Sequence, residues 1–231
     1  VTYRILLTDD IDAEGVALLA AEPALAVDQV PTLPRNELLA RIGTYDAVVV
    51  RSATKISPEV LRAGSRLAVV GRAGVGLDNI DVDLATELGV AVFNAPAGNT
   101  IAVAELFFGT VIGLLRQLPQ AYASMRDGCW ERSRFIGQEV QGKVLGIVGL
   151  GRIGAEIATR AHAFGMQVMT YDPSITDARC QALRVRRAAT LEELLDAVTV
   201  LTVHTPLTTE TRGLIGAAAL SRLARGAIVI N

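Results

Sequence analysis

Three glycines carry the clearest chemical spacing in the chain: Gly149, Gly151 and Gly154, in the run VLGIVGLGRIG. They follow a β-branched stretch and open a helix-period one. In that setting G-x-G-x-x-G cradles a dinucleotide: the first glycine permits the tight turn, the second lets backbone approach a pyrophosphate, and the third lets helix pack on strand. The free N–H groups and partial positive charge of the helix's first turn favour phosphate. Asp172 stands 18 residues beyond Gly154, at the end of the next strand-like run, QVMTYD, placed to accept hydrogen bonds from a ribose diol. Its charge also repels a ribose phosphate, so the expected cofactor is NAD. Arg152, within the turn, is a candidate for the pyrophosphate.

The chain has only two histidines. His162 falls well inside the helix after the glycine loop and is expected to pack there or lie at the surface. His204 follows VTVLTV and precedes Thr205 and Pro206, at the carboxyl edge of a parallel sheet, where doubly wound folds bind ligands. No neighbouring carboxylate in sequence orients it, so it is read as part of a cofactor-contacting loop rather than as a base. Cys129 and Cys180 are far apart and in no CxxC or Cys/His pattern. That spacing supports neither a disulfide framework nor a metal site, and makes a reducing cytoplasm the expected compartment.

The elements that must hold these residues show as short apolar runs about 20 residues apart. The first series is Ile5 to Thr8, Leu25 to Asp28, Ala47 to Val50, Leu67 to Val70 and Val90 to Phe93. The second is Val144 to Leu150, Val168 to Tyr171, Val198 to Val203 and Ala227 to Ile230, with a fainter one near Val185. Runs such as AVVV, apolar on both faces, suit strands covered by helices on both sides. The alternation predicts an α/β protein of two doubly wound parallel-sheet domains, residues 1–97 and 98–231. Between them, Asn99 to Arg126 reads as a helix capped by Asn99 or Thr100, broken by Pro119, and apolar nearly all round in its first half, which requires burial on several sides.

With 22 basic against 24 acidic side chains and 51% hydrophobic residues, the chain has no electrostatic footprint for nucleic acid or an anionic membrane. The apolar window from Ile101 to Leu115 is too short for a bilayer. A small-molecule partner is expected. The chain begins at Val1 and stops at Asn231 directly after a strand-like run, the pattern expected of a fragment whose second sheet is incomplete.

Taken together, VVVRSATKI (48–56), VVGRAGVGLDNIDV (69–82), NAPAGNTIAVAEL (94–106), WERSRFIGQEVQGKVLGIVGLGRIG (130–154) and VHTPLTTETRGLI (203–215) resemble the D-isomer-specific 2-hydroxyacid dehydrogenases. RSATK and WERSRF point to the phosphoglycerate branch. The resemblance implies a flavodoxin-like substrate domain followed by a Rossmann NAD domain. It implies that Arg51, Ser52, Gly74, Val75, Gly76 and Asn99 face a phosphorylated 2-hydroxy acid, and that Arg132 reaches a neighbouring subunit in a homodimer or larger homo-oligomer. On the cofactor side it adds Val75, Ile153, Pro173, Thr205 and Pro206 to the glycines, Arg152, Asp172 and His204. The catalytic arginine, glutamate and histidine of the family are expected beyond Asn231, which leaves this chain without a catalytic base and with little or no turnover alone. Other functions open at this point are a glyoxylate or hydroxypyruvate reductase of the same superfamily and a non-catalytic NAD-sensing protein resembling the C-terminal binding protein corepressors.

Overall fold

The computed structural model describes Thr2 to Asn231. The chain divides into two compact units after Asn99, two residues beyond the boundary expected from sequence. The first unit runs β1 (Tyr3–Leu7), α1 (Ala13–Ala20), β2 (Leu25–Gln29), α2 (Arg35–Arg41), β3 (Ala47–Val50), α3 (Pro58–Ala63), β4 (Val69–Arg72), α4 (Val82–Glu87) and β5 (Ala91–Asn94). Its strands are all parallel in the order β2-β1-β3-β4-β5, the flavodoxin-like arrangement, with the order reversing between β1 and β3. Val48 and Val50 of β3 are fully buried and pack with Leu6, Ile56 and Val70. Each such side chain contributes on the order of 1.5–3 kcal/mol on leaving water.

The second unit opens with α5 (Thr100–Leu115) and α6 (Leu118–Arg126). It continues through β6 (Val144–Val148), α7 (Arg152–Ala163), β7 (Gln167–Tyr171), α8 (Asp177–Ala182), β8 (Arg186–Arg187), α9 (Leu191–Ala197), β9 (Val200–Val203), α10 (Ala217–Arg222) and β10 (Ile228–Ile230). The order β10-β9-β6-β7-β8, again all parallel, matches five strands of the Rossmann order, with its reversal between β6 and β9. α7 buries Gly154, Ala155, Ile157, Ala158 and Ala161 along one face, the 3.6-residue stripe that holds a helix on a sheet. Phe108 of α5 stacks on Phe164 at 4.9 Å and meets Phe107 edge-on at 5.0 Å.

Several local expectations need correction. The strand expected from Leu67 to Val70 lies at Val69–Arg72, because Leu67 is buried from a turn, its N–H bonded to the Gly64 carbonyl. The strand expected through Leu150 stops at Val148, and that expected from Val198 starts at Val200. The break in the long helix falls at Arg116–Gln117, where Gln117 has φ 53°, and the two helices bend by 66°. Pro119 sits instead in the first turn of α6, where a missing N–H costs nothing. Thr100 is the first residue of α5 rather than a residue before it. That helix is not buried all round: Ala104, Phe107, Phe108 and Val111 face the core, while Ile101, Leu106 and Leu114 are exposed. Among the described residues no single helix is long and apolar enough to cross a membrane.

Candidate functional site

In the second unit the turn between β6 and α7 is built by its glycines. Gly149 adopts φ 91°, and a Cβ there would lie 2.8 Å from the His204 carbonyl oxygen. A Cβ on Gly154 would lie 2.5 Å from the Gly149 carbonyl oxygen and 3.1 Å from Ile147, so helix and strand can meet only over a hydrogen. Gly151 differs, since a Cβ there would meet nothing within 4 Å. It precedes Arg152, which opens α7 rather than lying within the turn. The first-turn N–H groups of Arg152, Ile153 and Gly154 find no acceptor among the described residues, which is the arrangement that receives an anion.

Asp172 follows β7 and ties this turn to the next loop. Its Oδ2 accepts the Leu150 N–H at 2.9 Å and its Oδ1 the Ser174 N–H at 2.9 Å. Each carboxylate oxygen keeps a further lone pair free to accept a hydrogen bond. Across the cleft, His204 follows β9; its Nε2 lies 2.9 Å from the Thr202 hydroxyl, and burial pushes its ionisation down, so the ring is neutral near pH 7. Gly149, Gly151, Asp172, Pro173, His204, Thr205 and Pro206 thus line one concavity of about 460 Å³. Arg152 and Ile153 stay outside that lining, and Val75 belongs to the other unit. His162 packs, with Nε2 2.9 Å from the Leu183 carbonyl oxygen. A larger concavity of about 600 Å³, around Ile112, Arg116 and Phe164, lies at the other end of α7, where a helix presents carbonyls rather than N–H groups.

The cleft also contains Tyr171, Ser174, Thr208, Glu210, Thr211 and Leu214, which the sequence reading passed over. The signal was the pair Thr208 and Thr211: each hydroxyl accepts the other's N–H, at 3.3 and 2.8 Å, a reciprocal cap at three-residue spacing.

In the first unit the residues of interest sit at the carboxyl ends of β1, β3 and β4. Arg51 and Ser52 follow β3 and are exposed, and Arg51 has no carboxylate partner among the described residues. The loop holding Gly74, Val75 and Gly76 follows β4 beside it, joined by the Ala73 N–H to the Val50 carbonyl at 2.8 Å. The Val75 carbonyl accepts Asn94 Nδ2 at 2.8 Å, and the Gly74 carbonyl accepts the Ala95 N–H at 2.9 Å. Asn99, exposed, ends the unit.

Two residues missed from sequence belong to this edge. Arg72 ends β4 with its Nε buried and without a partner, its guanidinium lying over Gly74, where a Cβ would be 1.6 Å from a terminal nitrogen. Asp9, just past β1, is buried and bonds the Arg51 loop. A charged residue at the carboxyl end of a parallel strand was the signal, as it was for Arg51. Arg132 lies in a short 3-10 turn, Arg132–Phe135, exposed beside Met125 and Trp130.

Residues 108–231 match the family described as D-isomer specific 2-hydroxyacid dehydrogenase, NAD binding domain. D-3-phosphoglycerate dehydrogenase of Bacillus subtilis is 43% identical over 231 residues, 99% of this chain and 43% of that protein. The chain therefore spans less than half the length of this curated relative. A solved protein of Thermus thermophilus superposes with a TM-score of 0.88 at 32% identity, covering 98% of this chain and 72% of that one. NAD+-bound 3-phosphoglycerate dehydrogenase of Entamoeba histolytica gives 0.82 at 28% identity, covering 99% and 71%.

Proposed function

Because the chain belongs to the D-isomer specific 2-hydroxyacid dehydrogenases, we propose that the protein oxidises D-3-phosphoglycerate to 3-phosphohydroxypyruvate with NAD, the first step of L-serine biosynthesis. The observation that carries this reading is the pair of guanidinium groups, Arg51 and Arg72, placed without carboxylate partners at one sheet edge with Ser52. Phosphoglycerate has two anionic groups to meet them, and arginine forms paired hydrogen bonds to either. The named relatives support the same substrate.

The glycine cradle fits the cofactor: a Cβ on Gly151 would point into open space, and the free N–H groups of α7 begin beside it. Those N–H groups would take the pyrophosphate, Asp172 the adenosine ribose, and Thr205 with Pro206 a wall of the cleft. When bound, the nicotinamide accepts the hydride from the substrate carbon. The first unit's residues orient the acid by its charged ends, which is an entropic contribution to rate. His204 stays neutral, bonded to Thr202, and serves the cofactor loop rather than the hydroxyl proton.

We assign homo-oligomer formation to the exposed apolar residues Ile101, Leu106, Leu114, Tyr122, Met125 and Trp130, since apolar surface of this kind is normally covered. The two free cysteines, Cys129 and Cys180, fit a cytoplasmic location. Steady-state kinetics of the full-length protein test the substrate. D-3-phosphoglycerate is expected to be preferred over D-lactate, D-glycerate and, in the reverse direction, glyoxylate. Arg51→Ala should raise the KM for phosphoglycerate at least about tenfold, the loss of a charge-assisted hydrogen bond. Preference for an unphosphorylated acid, or no oxidoreductase activity at all, would overturn the reading.

A further inference from the structure

The four-residue turn Arg51–Thr54 is held at both ends by two buried side chains from other loops. Asp9 Oδ2 accepts the N–H of Arg51 at 3.0 Å and that of Thr54 at 2.8 Å, while its Oδ1 accepts the Thr54 hydroxyl at 2.6 Å. Asn79 Nδ2 donates to the carbonyls of the same two residues, Arg51 and Thr54, at 2.7 Å each. The first and last residues of the turn are therefore each fixed through both their N–H and their carbonyl. Between them Ser52 and Ala53 make no backbone hydrogen bond to any described residue. The placement of the turn's tip is thus set by its ends.

The fixing groups are built for the purpose. Asp9, Thr54 and Asn79 are 5%, 4% and 9% exposed. Asp9 and Asp10 have φ values of 69° and 53°, two consecutive residues in the left-handed region that side chains disfavour, and this is the turn that carries the Asp9 carboxylate to the β3 loop. Burial opposes the charge of Asp9, and the Thr54 hydroxyl with the Thr54 and Arg51 N–H groups more than offsets it, so the carboxyl ionises below its ordinary range. Backbone strain and buried hydrogen bonds are thus concentrated under the one exposed turn that carries Arg51 and Ser52.

We infer that Asp9, with Asn79, is a positioning residue that presents Arg51 and Ser52 to the anionic end of the substrate. The inference rests on the reading of Arg51 and Ser52 as substrate-binding. Neither Asp9 nor Asn79 touches the substrate; they decide where the groups that do touch it stand.

Kinetics of the full-length enzyme with D-3-phosphoglycerate and NAD test this. Asp9→Ala should raise the KM for phosphoglycerate roughly 10- to 100-fold, the range in which misplacement of a binding group costs, and leave kcat and the KM for NAD within about twofold. Asp9→Asn should restore most of the affinity, because the amide oxygen keeps both N–H groups and the Thr54 hydroxyl can turn to accept from the amide. In an Arg51→Ala background Asp9→Ala should raise the KM by a much smaller factor than it does alone, since only the Ser52 share of what it positions remains. An unchanged KM with only a lowered melting temperature, or effects of Asp9→Ala and Arg51→Ala that multiply, would overturn the inference. Should Asp9→Ala fail to fold, Thr54→Val, which removes one hydroxyl from the carboxylate, takes its place: a several-fold rise in the same KM supports the clamp and an unchanged KM overturns it. If Arg51→Ala itself leaves KM unchanged, the substrate reading fails and the clamp falls with it. If Arg51→Ala raises KM and neither Asp9 nor Thr54 variants do, only the clamp fails.

Discussion

Replacing Gly151 by alanine separates what the glycine cradle does for the fold from what it does for the ligand. Gly151 has φ −71°, open to any residue, and its added Cβ would meet nothing within 4 Å. Folding stability should fall by only about 0.5–1 kcal/mol, the difference between glycine and alanine as the N-cap of α7. The methyl group nevertheless occupies the approach to the α7 N–H groups, holding a phosphate about 1.5 Å further off, a carbon–carbon bond length. Losing one charge-assisted hydrogen bond costs about 1.5–3 kcal/mol, a factor of roughly 10–100 in NAD affinity. Gly154→Ala should behave in the opposite way. Its Cβ would lie 2.5 Å from a carbonyl oxygen, an overpacking cost of about 1–3 kcal/mol that outweighs the roughly 1 kcal/mol gained in helix propensity. Calorimetric titration with NAD alongside thermal melting distinguishes the two. An unchanged NAD affinity in Gly151→Ala, or a loss of melting temperature as large as that of Gly154→Ala, would refute the reasoning.

Asp172→Ala should weaken NAD about 10- to 100-fold and NADP much less, since it removes both a diol acceptor and a charge opposing the ribose phosphate; equal losses in a fluorescence titration of the two cofactors would contradict the assignment. His204 titrates below its ordinary value because it is buried, so below about pH 6.5 the unfolded chain binds more protons than the folded one. Its stabilising contribution is complete above that pH and declines as pH falls through the lower folded value. Urea midpoints between pH 7.5 and 5 should therefore fall less steeply in His204→Asn, and parallel slopes would count against a buried neutral imidazole.

The two parallel sheets were legible because their strands are short, apolar on both faces and regularly spaced; Ala47–Val50 falls where AVVV places it. Residues at the ends of elements were less so. Leu67 is as apolar as a strand residue, yet it reaches the core from a turn, and hydrophobicity alone does not separate the two. Pro119 marked an irregularity near the right place, but the left-handed residue that makes the bend is Gln117, which has no compositional mark. The glycine cradle was readable since Gly149 and Gly154 answer local steric demands at the spacing a dinucleotide turn requires. The partners of Asp9 were not, because they lie on a loop 40 or so residues away in sequence, which only the strand order brings close.

The unpaired guanidinium of Arg72 has a consequence for how the protein behaves in any solution containing small anions. A partly buried cation with no carboxylate beside it is a standing electrostatic cost to the ligand-free state. Phosphate or sulfate that settles there relieves the cost and stabilises the fold by mass action; on the proposed reading of this sheet edge it also competes with the substrate. Apparent affinity for a phosphorylated acid then becomes a property of the medium as well as of the protein, scaled down by the occupancy of whatever oxyanion is already present.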